Sequence, residues 1–248
     1  MAGPTSLHAL ALNLPPADGY LIDLDGTLVS GGRPLPGARD LLTGLGAPFV
    51  ILSNDSEHVS RQLAASFREW GLTIQPRSII LAGVVAIETI ARRSPGARVL
   101  LLGSPALRVL ALQHGLDLES NRPEVVLLAR DRDFSFERLA AAARAVQRGA
   151  QVVLACPDTS HPGHDGEPVP EVGALAAALF ACVGPVPHEV IGKPEPTLFA
   201  IGCERLGIPA SRCIMIGDNP LTDGAGAARA GIAFCQVAGV QQETEFAG

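Results

Sequence analysis

Lysine is almost missing from this chain: 18 of its 19 basic residues are arginine, and the single lysine, Lys193, lies in VIGKPEP at 190–196. A general bias towards Ala, Arg, Gly and Pro accounts for part of that scarcity. A compact ammonium kept at one position still points to a role that a planar guanidinium does not fill. Clusters of positive charge are missing too, and 25 acidic residues bring the net charge to −6, so nucleic acid and anionic membrane are not expected partners. Apolar runs such as VVLLA at 125–129 are strand-sized, far short of the roughly 20 residues of a membrane span. The opening MAGPTSLHALALNLPP lacks the basic residues of a secretory signal. Cysteines are few and odd in number, at 156, 182, 203, 213 and 235, which suits buried, reduced thiols and a cytoplasmic location.

What is present is apolar material in a repeating order. With 248 residues and 47% hydrophobic content, the chain can fill the core of one large domain or two modest ones. Short apolar runs at 20–24, 49–53, 98–103, 125–129, 151–155, 213–217 and 232–236 read as strands. Helical spacing fills 58–70, 82–93, 105–114, 136–148, 171–183, 196–207 and 223–230. The alternation predicts a parallel α/β architecture. CPDTSHPGHDGEPVPE at 156–171, rich in Pro, Gly and acids, is expected to be an exposed loop without a regular element.

Chemistry gathers at three strand ends. DLDGTL places Asp23 and Asp25 at the carboxyl end of the first strand, on one face by their spacing. SNDS puts Ser53 and Asn54 at the end of the second, and GDNPLTD brings Asp218 and Asp223 after the sixth. Ligands of open α/β sheets bind beyond the carboxyl ends of the strands, so these groups should share one crevice. Each alone is ordinary turn or cap chemistry, and Lys193 alone would be a solvated surface lysine. Their joint order is not ordinary.

The succession DLDGTL, SNDS, GKPEP, GDNPLTD resembles the haloacid dehalogenase superfamily of phosphohydrolases over nearly the whole chain. Residues 125–139, 151–162 and 171–179 are similar to the cap of its class IIA members, the p-nitrophenylphosphatase-like group that includes sugar phosphate, phosphoglycolate and pyridoxal phosphate phosphatases. The resemblance implies a Rossmann-like parallel core from 1–78 and 187–248, with an α/β cap inserted at 79–186. It implies a Mg2+-dependent phosphatase for small phosphomonoesters. Asp23 would be the nucleophile that forms an aspartyl phosphate, and Asp25 the general acid and base. Mg2+ would be held by Asp23, Asp218, the Asp25 carbonyl and Asp223. Ser53, Asn54 and Lys193 would hold the phosphoryl group. Four aspartates and a phosphate dianion crowd the crevice with negative charge that Mg2+ only partly cancels, which gives Lys193 its purpose. Substrate choice would rest on the cap loop, with Asp158, Thr159, His161 and His164 as candidates.

Two features depart from that pattern: Asp55 stands where class IIA relatives have a second Asn, and the chain stops soon after its last expected strand. The HxxHD run at 161–165 has no regular helix to align metal ligands, so a hydrated lid is the expectation there. The expected partner is a small phosphorylated metabolite, with a homodimer through the cap as a further expectation. A phospho-accepting signalling module with the same acidic site, and a non-catalytic binding domain, are the alternative readings.

Overall fold

The computed structural model describes residues 6–163 and 167–238. Its elements in chain order begin with α1 (Leu7–Leu12), β1 (Gly19–Asp23), β2 (Val29–Ser30), β3 (Arg33–Pro34), α2 (Ala38–Gly44), β4 (Phe49–Ser53), α3 (Ser60–Glu69) and β5 (Ile79–Leu81). Then come α4 (Ala82–Arg93), β6 (Val99–Leu102), α5 (Pro105–Gln113), β7 (Val125–Leu128), α6 (Phe136–Gln147), β8 (Gln151–Leu154), β9 (Ser160–Pro162), β10 (Pro168–Pro170) and α7 (Val172–Val183). The chain ends with β11 (His188–Val190), α8 (Thr197–Leu206), β12 (Cys213–Gly217), α9 (Ala225–Ala230) and β13 (Ala233–Gln236).

Two compact units divide the chain. Unit 1 holds the residues up to Ser53, Leu63–Ile80 and those from Lys193 onward; unit 2 holds Asn54–Gln62 and Leu81–Gly192. Each has its own sheet, and the fold class is α/β with an α/β unit inserted in a parallel-sheet core.

The unit 1 sheet runs β13-β12-β1-β4-β5, and the pairings from β13 through β4 are parallel. Every residue of β1 is buried, as a central strand covered on both faces requires, which is why it reads as an unbroken apolar run. The strand order reverses at β1: β4 and β5 extend to one side, β12 and β13 to the other. Such a switch point is where side chains at the carboxyl ends of neighbouring strands surround a crevice. β1 ends at Asp23, β4 at Ser53, and Asp218 follows the last residue of β12.

The unit 2 sheet runs β11-β8-β7-β6, all parallel. Ser104 and Ser135 cap α5 and α6 by accepting from Leu107 N and Arg138 N, with Pro105 on the first turn of α5. Segment 54–62 joins this unit through backbone bonds: Gly83 N donates to Asp55 O at 3.1 Å and Arg130 N to Ser56 O at 3.1 Å. Residues 187–192 join it because β11 extends the sheet beside β8.

The loop expectation for 156–171 needs correction. The segment contains the antiparallel pair β9–β10 despite its prolines. Inter-strand bonds join Gly163 N to Glu167 O and Glu171 N to Thr159 O. The alternation of an antiparallel ladder then puts Pro162, Pro168 and Pro170 at positions that need no N–H. α1, α2, β5 and β11 also escaped the sequence reading, because three to seven residues are too few to set a period. Among the described residues no helix is long and apolar enough to cross a membrane.

Candidate active site

In unit 1, carboxylate oxygens of Asp23, Asp218 and Asp223 lie within 4.8 Å of one another. Asp23 reaches that point as the last residue of β1, and Asp218 as the residue after β12. Asp223 comes from a π-helical turn, Pro220–Gly224, that Asn219 caps by accepting from Leu221 N at 2.9 Å. Gly26 lets β1 turn away at once. Its φ is 85°, and a Cβ there would lie 2.5 Å from Asp218 Oδ2, so both conformation and space require glycine.

Lys193 is 3% exposed and its Nζ donates to Asp23 Oδ1 and, at 2.6 Å, to Asp223 Oδ1. Burial opposes its charge, but Asp223 and Asp23 outweigh burial and hold its pKa above the ordinary lysine range. One ammonium does not satisfy three carboxylates. Burial, reinforced by Asp23, pushes Asp223 up to about 7 and Asp218 up to about 6. The site therefore has excess negative charge at neutral pH, and its donors are all oxygen, which suits a hard divalent cation such as Mg2+.

Thr27, quoted within DLDGTL but given no role by the sequence reading, is fully buried at the centre of this group. Its hydroxyl contacts Asp23 Oδ2 at 2.9 Å and Asp218 Oδ1 at 3.3 Å, and accepts from Asp218 N at 3.0 Å. Asp23 is thus gripped through both oxygens. Asp25 is exposed, and its carboxylate is not part of the trio; it accepts from Ser53 Oγ at 3.0 Å. The two acids of DLD take different partners.

Unit 2 places the other candidates. Asn54 Nδ2 donates to Asp158 Oδ2 at 2.9 Å. Asp55 turns onto its own chain: Oδ1 accepts from Glu57 N at 2.9 Å and His58 N at 2.8 Å, and Oδ2 meets His58 Nδ1 at 2.7 Å. Burial alone would raise its pKa, but His58 and the two amides lower it, and Asp55 in turn raises that of His58. His161 Nδ1 lies 2.7 Å from Glu171, yet burial and Arg130 hold the ring below the ordinary histidine range, so the contact is a hydrogen bond to neutral imidazole at neutral pH. Arg130 sits between Glu57 at 3.1 Å and Glu171 at 3.5 Å. No periodicity or motif marks Glu57, Arg130 and Glu171 as neighbours. Thr159 is exposed, and His164 lies outside the described residues.

Comparison with known proteins fits this geometry. A haloacid dehalogenase-like hydrolase model matches residues 20–117, and a HAD-hydrolase-like model matches 190–247. An acid sugar phosphatase of Staphylococcus aureus is 32% identical over 208 residues, covering 82% of this chain and 80% of the relative. The structure of a p-nitrophenyl phosphatase from Archaeoglobus fulgidus superposes with a TM-score of 0.83 at 28% identity, covering 93% of this chain and 91% of that one. A glycerol phosphate phosphatase from Mycobacterium tuberculosis in complex with magnesium gives 0.80 at 30% identity, covering 94% and 69%. With three aspartates gathered in unit 1, two of them bonded to one lysine, and with these relatives among the phosphatases, the chain belongs to the haloacid dehalogenase-like hydrolases.

Proposed function

We propose that the chain is a Mg2+-dependent phosphatase of small phosphomonoesters that works through an aspartyl phosphate on Asp23. The observation that carries this reading is the buried trio Asp23, Asp218 and Asp223 with Lys193 bonded to two of its members. The donor set fits Mg2+, which Asp23, Asp218, Asp223 and the Asp25 carbonyl would hold, and which when bound offsets charge on the phosphoryl oxygens.

Asp23 is held by Thr27 and Lys193, so little reorientation is needed before its oxygen attacks phosphorus and the ester oxygen departs. Asp25 supplies the proton that the departing alkoxide takes up, and it then accepts a proton from the water that attacks the aspartyl phosphate and frees inorganic phosphate. Its exposure and its bond to Ser53 Oγ leave it near the β4 end; Ser53, once its hydroxyl turns from Asp25, and Asn54 would donate to the phosphoryl oxygens. The relatives named for sugar phosphate and glycerol phosphate favour a polyol or sugar phosphate as the substrate class. Unit 2, made of Asn54–Gln62 and Leu81–Gly192, would serve as the cap in this reading.

The test is hydrolysis of p-nitrophenyl phosphate and of a panel of sugar and polyol phosphates, with Mg2+ and with chelator. Wild type should turn over with Mg2+ only, and Asp23→Asn should be folded and inactive. Near-normal turnover by Asp23→Asn would sink the mechanism.

A further inference from the structure

Asp158 has the look of a substrate contact when read from the sequence, since it lies in a polar loop beside two histidines. A carboxylate is a poor neighbour for a phosphate dianion, however, and the structure shows what it touches instead. Its Oδ2 accepts from Asn54 Nδ2 at 2.9 Å. A carboxylate has no proton to give at neutral pH, so this contact also settles which end of the Asn54 amide is nitrogen.

Both partners are held from behind. Gly173 N, in the first turn of α7, donates to Asp158 O at 2.7 Å, and a Cβ at 173 would come within 2.8 Å of that same oxygen. On its other end the Asn54 amide rests against bare backbone: a Cβ at Gly192 would lie 2.5 Å from Asn54 Oδ1 and 2.8 Å from Ala155 O. Gly192 N is itself fixed by a 2.8 Å bond to Ala155 O. The turn that follows is locked as well, since Asp55 binds the Glu57 and His58 amides, and Gly83 approaches Ser56 Cα so closely that a Cβ would sit 2.9 Å away. The amide of Asn54 is therefore anchored at its nitrogen by Asp158, and its oxygen occupies space that only a glycine at 192 leaves open. With one N–H anchored, the direction of the other is determined by the amide plane.

We propose that Asp158 and Gly192 are positioning residues for the reaction, acting through Asn54 and not on the substrate. The inference rests on the reading above, in which Asn54 donates to the transferring phosphoryl group. A preoriented donor is worth most where charge develops in the transition state, so its loss should fall mainly on kcat.

The experiment is a double-mutant cycle of Asp158→Ala and Asn54→Ala, with p-nitrophenyl phosphate and glycerol phosphate as substrates. Asp158→Ala should lower kcat about 10- to 100-fold with a smaller change in KM, and by the same factor for both substrates. Asp158→Asn should recover most of the rate, because its amide oxygen accepts the same bond. In the Asn54→Ala background, Asp158→Ala should cost nothing further. Should Asp158→Ala fail to fold, Gly192→Ala serves as the second perturbation: its loss of rate should be smaller when Asn54 is already alanine. Additive losses in both backgrounds would show a merely structural role. A loss confined to one substrate would make Asp158 a direct contact to the alcohol portion, and either result overturns the proposal. A wild-type protein without p-nitrophenyl phosphatase activity would instead overturn the functional reading and this inference with it.

Discussion

Replacing Lys193 with methionine keeps the length and apolar stem of the side chain while deleting its charge. Its Nζ stands 2.6 Å from Asp223 Oδ1, an attraction of about 6 kcal/mol at an effective dielectric near 20. Asp23 adds a comparable contact. Keeping an ammonium that is 3% exposed out of water costs several kcal/mol, so much of that attraction is offset. Breaking a buried pair typically costs about 3–5 kcal/mol, and that is the loss of unfolding free energy expected near pH 8 in chelator. At that pH, Asp218 and Asp223, with pKa values of about 6 and about 7, are both ionised. Raised carboxyl values favour folding most below the ordinary range of about 4, and that contribution is lost as pH rises through the folded values. Near pH 5 both groups hold protons, less negative charge is left unpaired, and Lys193→Met should cost less than half as much. Urea unfolding of both proteins at the two pH values measures the difference. An equal loss at both would refute the charge argument and reduce Lys193 to a packing residue. Lys193→Arg restores the charge without the compact shape and should return activity to within about one or two decades of wild type; full recovery would make the lone lysine a matter of composition.

Thr27→Val removes the hydroxyl between Asp23 and Asp218 without changing volume, and should destabilise by about 1–3 kcal/mol while lowering kcat, because the Asp218 amide loses its acceptor. Thr27→Ser should retain both; thermal melting and initial rates with Mg2+ decide, and a fully active valine variant would contradict the role given to this hydroxyl. His58→Gln should cost no more than about 1 kcal/mol, since the imidazole is partly exposed and screened. The loss should be greatest between about pH 4 and 6.5. The raised His58 stabilises below its ordinary pKa and loses effect as pH climbs through its folded value, whereas the lowered Asp55 stabilises above the ordinary carboxyl range and loses effect as pH falls through its own. A loss that does not vary between about pH 5 and 9 would show that the pair acts without charge.

The seven expected strands are all present to within a residue or so at either end, because a parallel strand buried on both faces is an unbroken apolar run with chemistry immediately after it. Asp23, Ser53 and Asp218 were legible for the same reason: each ends or follows a strand, and strand ends at a switch point face one crevice. Lys193 was legible through its scarcity together with its place in GKPEP within the motif order. A shared crevice was legible from those strand ends, but the particular partners were not, since which carboxylates Lys193 bonds, Asp23 lying 170 positions away, depends on how strands order themselves in the sheet. The spacing of DLD put two carboxylates on one face but did not give their partners, which are Ser53 for Asp25, and Thr27 and Lys193 for Asp23. The direction taken by Asp55, the ladder formed by a proline-rich segment, and the meeting of Glu57, Arg130 and Glu171 were likewise decided by tertiary structure. Burial and periodicity are local properties that a sequence carries residue by residue. Which polar groups satisfy one another once water is excluded is a property of the packed chain, and three aspartates share one lysine here because folding leaves that buried site no other cation among the described residues.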